Sequence, residues 1–196
     1  MNSMTHEKEA FTFREGRRTD APYLSKAFDR FQDEAVARDP LRRIRRLRGY
    51  GVQYASRVLR ATRERKGLFL VAEKKGAPIG FIIAAPEQPP LHVRYESVPT
   101  RSCIVWELWV EPNYRAQGVG KRLMRAVEGM FEQKGCDWVH LYVNASNIGA
   151  RDFYRALGYV ERGLDLGKPL EPTVGTHNPA SRSRRPRPPQ RHRSSR

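Results

Sequence analysis

Residues 103–120 read Cys-Ile-Val-Trp-Glu-Leu-Trp-Val-Glu-Pro-Asn-Tyr-Arg-Ala-Gln-Gly-Val-Gly, and two kinds of chemistry lie within them. Gly118 and Gly120 lack a Cβ, so the backbone between them turns tightly and lets a ligand approach. Val119, Leu123, Val127, Met130 and Phe131 then recur at helical spacing, with Lys121, Arg122 and Arg125 off the stripe. The first turn of such a helix presents unpaired N–H groups and the positive end of its dipole, a natural seat for phosphate. The second feature is Glu107. It stands in an otherwise apolar strand, on the face of Trp109 by period-two alternation. Burying a carboxylate unpaired is costly, and desolvation would raise its pKa and suit it to act as a base. An ion pair or an exposed strand face accounts for it equally well. Glu111 reads as a turn residue.

The glycine spacing excludes two familiar phosphate loops. A dinucleotide loop, G-x-G-x-x-G, needs a third glycine where Leu123 stands. A G-x-x-x-x-G-K-[ST] loop needs a glycine at Arg115 and a hydroxyl at Arg122. What remains is Arg-x-x-Gly-x-Gly after a strand, with Arg115, Gly118 and Gly120. Downstream, after a second strand pattern at 138–143, come Asn147, Ala150, Phe153 and Tyr154, then Gly158 and Tyr159.

With both signatures in this order, the chain resembles the GNAT superfamily of acetyl-CoA-dependent N-acetyltransferases over about residues 11–170, specifically over 103–160. The resemblance implies that main-chain groups of Val110 and of the loop Arg115, Gln117, Gly118, Val119, Gly120 and Lys121 hold the cofactor's pantetheine and pyrophosphate. It implies that Tyr154 donates a proton to the coenzyme A sulfur, a role that suits a phenol neutral at pH 7. Asn147 is placed to bond the pantetheine arm or to cap its helix. No single base is shared across the family, so Glu107 stays a candidate catalytic base beside the alternatives above. The expected reaction is direct transfer of acetyl from acetyl-CoA to a primary amine of a small molecule or protein in a ternary complex.

These residues must be positioned by elements that the pattern also outlines. Residues 11–14, 68–72, 78–84, 103–110 and 138–143 read as strands. Helices are expected after Thr19 or Asp20, over 41–65 as one or two pieces weakened by Gly49 and Gly51, after Gly120, and over 147–157. Residues 86–101, with four prolines, read as a loop, and 159–162 with 164–170 as a closing pair of short strands. The fold class is α/β (α+β), and the resemblance implies a mixed central sheet flanked by helices, splayed to admit the cofactor.

The chain has 196 residues, 39% hydrophobic and 30% charged, enough for one domain plus an appendage. The expected division is a flexible 1–10, a catalytic domain over 11–170 and a disordered basic tail over 171–196. No apolar run approaches the ~18 residues that span a bilayer, and the N-terminus lacks an apolar signal core, so a cytoplasmic monomer or homodimer is expected. Cys103 and Cys136 read as buried reduced thiols, and no metal site is expected.

The net charge of +16 is concentrated: residues 41–66 carry +9 and 172–196 carry +7, while the remainder holds 20 basic and 20 acidic residues. This supports an alternative function, a nucleic-acid- or ribosome-associated protein using the basic segment and arginine tail with acyl-CoA binding only regulatory. A non-catalytic acyl-CoA sensor is a further class. The basic segment and the proline-rich stretch are expected to wall the acceptor site, which disfavours polycationic amines. The identity of the acceptor is not written in these residues.

Overall fold

The structure, a computed structural model, describes residues 11–87 and 91–170. The compact unit that carries the elements below runs to Leu164; Asp165–Leu170, the described part of a second unit, contain no helix or strand.

The elements in order are β1 (Thr12–Glu15), α1 (Ala21–Arg38), α2 (Tyr50–Glu64), β2 (Leu68–Lys74), β3 (Ala77–Pro86), α3 (Leu91–Glu96), β4 (Ser102–Val110), α4 (Val119–Gln133), β5 (Trp138–Leu141) and α5 (Ile148–Arg155). The five strands form one sheet in sequence order. β1 to β4 are antiparallel, and α4 is the crossover that returns β5 parallel to β4.

Each face of the sheet carries its own core. Leu68, Leu70 and Ala72 face α4, whose Val119, Leu123, Met124, Val127 and Phe131 are buried against them. The alternate residue Val71, with Phe81, Ile83 and Trp109, packs against Leu24, Ala27 and Phe28 of α1 and Ala55 and Val58 of α2. Full burial of each large side chain stabilises by roughly 1.5–3 kcal/mol. Asp20, placed to cap α1, makes no capping bond. Its carboxylate instead takes a bidentate pair from Arg14 at 2.8 Å and the Arg17 N–H at 2.6 Å, tying β1 to α1.

Five sequence expectations are corrected. Residues 41–47 are not helical: the Asp39 carboxylate accepts the N–H groups of Leu41, Arg43 and Ile44 and stabilises a turn instead. Gly49 and Gly51 do not weaken a helix interior but begin α2. Gly51 lies against α1, where a Cβ would fall 2.0 Å from the Ser25 carbonyl oxygen. The stretch 86–101 contains α3 rather than loop alone, and 159–170 form no strand. Finally, Cys103 and Cys136 are joined as a disulfide rather than held as reduced thiols, because the turn through Gly135 after α4 brings their Cα atoms to 6.6 Å.

Candidate active site

β4 and β5 pair only from Ser102–Trp138 to Val105–Leu141. Beyond this the strands part, and among the described residues Trp106–Val110 have no strand partner on that side. The N–H of Glu111 bonds the Ile79 carbonyl at 2.9 Å, so residues 109 and 111 direct their main-chain groups to β3. By alternation the N–H and C=O groups of Leu108 and Val110 point into the opening. An extended, amide-bearing ligand would there be met as a strand would be.

The loop after β4 closes the opening at its far end. Ala116 has φ 59° and Gly118 φ 85°, two left-handed residues that turn the chain into α4. The first intrahelical bond is Arg122 N–H to Gly118 C=O at 3.0 Å, and no side chain caps the helix. The N–H groups of Val119, Gly120 and Lys121 are therefore left for a ligand or water. The two glycines serve different ends. At Gly118 a Cβ would meet nothing within 4 Å, so its backbone angle is what matters; at Gly120 a Cβ would sit 3.3 Å from the Phe153 ring. Gly120 thus lets α5 pack on α4.

Arg115 is engaged elsewhere. Its Nε donates to the Val110 carbonyl at 3.0 Å, its guanidinium pairs with Glu34 at 2.6 Å and lies 4.8 Å from the Trp109 ring, and its N–H bonds Pro112. It fixes the loop to α1. Gln117 donates to the Asn113 carbonyl at 2.8 Å. Lys121 is exposed with no ion pair among the described residues, and Arg122 stacks over Phe11 and Phe13. Glu111 accepts from Arg30 and the Trp109 indole, so it braces the turn. Asn147 caps α5, accepting the Ala150 N–H at 3.4 Å.

Glu107 reaches its position through a bulge. Ile83 pairs with Glu107 and Ala84 with Val105, leaving Trp106 as an extra residue on β4. Strict alternation from Cys103 and Val105 would put Glu107 on the α4 face. The bulge turns it, with Trp109, toward α1 and α2. Glu107 is 6% exposed, and Oε1 accepts the Tyr54 hydroxyl of α2. Burial lifts its carboxyl from 4.5 to about 7, opposed by the Tyr54 hydrogen bond and the charge of Arg57. Tyr154, half-buried on α5 between Phe153 and Tyr159, is pushed up to about 12 by burial, with the Glu107 charge adding to the rise. The Tyr154 hydroxyl has no hydrogen-bond partner among the described residues.

Sequence reasoning missed Tyr54, which lies unmarked inside the helical stretch expected over 41–65. It also missed the His140–Glu87 pair at 2.5 Å, beside the last paired residues of β4 and β5. Separations of 53 residues in both pairs leave no local signal.

A strand opening that runs to an uncapped helix N-terminus suits an extended ligand with an anionic group, and comparison with known proteins shows the family. Residues 22–159 match the acetyltransferase (GNAT) family model, and the chain belongs to that family. It is similar to the thialysine N-epsilon-acetyltransferase of Bos taurus, 31% identical over 89 residues, 41% of this chain and 52% of that protein. It is also 30% identical to an uncharacterized N-acetyltransferase of Methanocaldococcus jannaschii over 99 residues, 50% of this chain and 42% of that one. The chain thus spans about half the length of these curated relatives. Among solved structures, a mutant protein from Bacillus halodurans superposes with a TM-score of 0.72 at 19% identity, covering 82% of this chain and 99% of that one. An aminoglycoside N-acetyltransferase in complex with CoA gives 0.61 at 17% identity, covering 82% and 95%. These likenesses show the fold.

Proposed function

We propose that the chain is an N-acetyltransferase that passes acetyl from acetyl-CoA directly to a primary amine. The observation that carries this reading is the opening between β4 and β5 that runs to the uncapped first turn of α4, with Glu107 in the unpaired stretch of β4 and Tyr154 on α5, the helix that packs against Gly120. The CoA bound to a structural neighbour of the same fold supports the donor. The residues fit that donor: the main-chain groups of Leu108 and the Val110 N–H match an amide-bearing arm, and the uncapped first turn of α4 matches a pyrophosphate.

Bound acetyl-CoA supplies an activated thioester carbonyl; the remaining work falls to the chain. An acceptor ammonium must lose a proton before its nitrogen has a lone pair, and Glu107, with a carboxyl near 7, takes it. As the C–N bond forms and the C–S bond breaks, the Tyr154 hydroxyl gives its proton to the departing sulfur. The nitrogen loses a second proton to become an amide, which restores the phenol, so the net release is one proton. Main-chain donors fixed on β4 cost no reorganisation as charge builds on the carbonyl oxygen.

Calorimetry with acetyl-CoA, followed by free-thiol release across a panel of amines and peptides, tests the proposal. Saturable binding and amine-dependent thiol release are expected. A protein that binds no acetyl-CoA would overturn it, and one that binds it but releases no thiol with any amine would be a sensor.

A further inference from the structure

We infer that Tyr54, on α2, is a positioning residue for the acceptor half of the reaction, holding the Glu107 carboxylate so that one chosen oxygen meets the amine. This rests on reading Glu107 as the base. The Tyr54 hydroxyl occupies Oε1. Oε2 has no partner among the described residues. Oε2 is therefore the oxygen left to the amine. It accepts one proton from the acceptor ammonium, leaving the nitrogen pair free and the carboxyl neutral, and returns that proton to solvent.

The phenol that fixes this geometry is itself clamped. Tyr50 stacks on the Tyr54 ring at 5.2 Å with an interplanar angle of 25°. Phe28 of α1 meets it edge-on at 4.7 Å, and the Arg57 guanidinium lies over its face, also at 4.7 Å. Swinging the hydroxyl away from Glu107 would forfeit all three contacts, so the donor is pre-organised.

The ionisable surroundings of Glu107 set the direction of the effect. From α2 come Tyr54, Tyr50 and Arg57, and from α5 comes Tyr154. β3 presents Ile83 opposite it, which does not titrate. α1 reaches it through Phe28 on Tyr54, while Asp29 of α1 acts on Tyr50. Desolvation favours the neutral carboxyl; the Tyr54 hydrogen bond and Arg57 favour the anion. Removing the hydroxyl therefore leaves the carboxyl protonated to a higher pH.

Tyr54→Phe keeps the stacked ring and removes the donor. A carboxyl-carbon NMR titration of the substrate-free protein should show the Glu107 midpoint raised by about one unit. The acid limb of kcat/KM should move with it, a loss of about fivefold at pH 7 that vanishes roughly two units higher. Tyr50→Phe, which removes a hydroxyl not bonded to Glu107, should leave both midpoints in place. If the acid limb survives Glu107→Gln unchanged, the base assignment itself fails. If Glu107→Gln abolishes the limb but Tyr54→Phe leaves both midpoints unmoved, the role of Tyr54 is overturned alone. Should Tyr54→Phe not fold, 3-fluorotyrosine at position 54, a stronger donor, must lower the midpoint; an unmoved midpoint rejects the proposal.

Discussion

Glu107 combines deep burial, one protein donor and an open oxygen, and this couples function to stability. Its folded carboxyl titrates near 7 against an ordinary 4.5, so between these values the folded chain holds a proton that the unfolded chain has released. Its contribution to stability is therefore greatest below pH 4.5 and declines as pH rises to 7, by about 3 kcal/mol in all. Glu107→Gln should gain that much over the parent between pH 4.5 and 8 in urea unfolding while losing transfer activity. Parallel pH–stability profiles for the two proteins would show that the carboxyl is unperturbed. Tyr154 makes a different prediction, because a hydroxyl with no hydrogen-bond partner contributes little to folding. Tyr154→Phe should lower kcat by about 10²- to 10⁴-fold with acetyl-CoA affinity held within about twofold. Equal losses in both would argue against proton donation. Of these two groups, Glu107 was legible in sequence as an anomaly in an apolar strand. Its partner Tyr54 was not, since only the tertiary packing of α2 on the sheet brings them together.

β4, its loop and α4 were readable because three local signals agree there: β-branched and aromatic residues, paired glycines, and a helical stripe. The same logic misled at 41–47, where Leu41, Ile44 and Leu47 keep helical spacing but Asp39 binds the backbone first. It misled at 159–170 as well, where alternation finds no neighbouring strand. The bulge at Trp106 was invisible, because it exists only as a register between two strands. The loop glycines allow a test of element against element. Gly118→Ala forces a left-handed φ of 85° on a residue with a Cβ, at a cost of about 1–2 kcal/mol with no neighbour to relieve it. Gly120→Ala instead presses the Phe153 ring from 3.3 Å and pushes on the helix that carries Tyr154. Adding Phe153→Leu should restore much of the turnover and melting temperature lost in Gly120→Ala and none of that lost in Gly118→Ala. Equal rescue of both would mean that the two glycines act alike, contrary to the packing.

Across the whole molecule, charge is divided between segments with different consequences. The arginines at 42, 43, 45 and 48 are exposed beside α2, and the seven of 172–196 lie outside the described residues. The rest of the chain is balanced in charge, so the proposed acetyl-CoA recognition through main-chain groups is expected not to depend on the tail. Polyanion binding would depend on it. Each phosphate neutralised on a single strand adds about 0.7 to the slope of log affinity against log salt, and seven tail arginines could add up to about 5. Deleting 172–196 should therefore flatten the salt dependence of single-stranded RNA binding by up to that amount. Meanwhile kcat/KM for a small amine should stay within about twofold, because no group of Glu107, Tyr54 or Tyr154 chemistry is removed. If the full chain shows no salt-dependent RNA affinity, or the deletion leaves the slope unchanged, the tail makes no phosphate contacts. If the slope flattens while turnover on the small amine collapses, the tail belongs to the catalytic unit, and the separation of charge from chemistry drawn here is wrong.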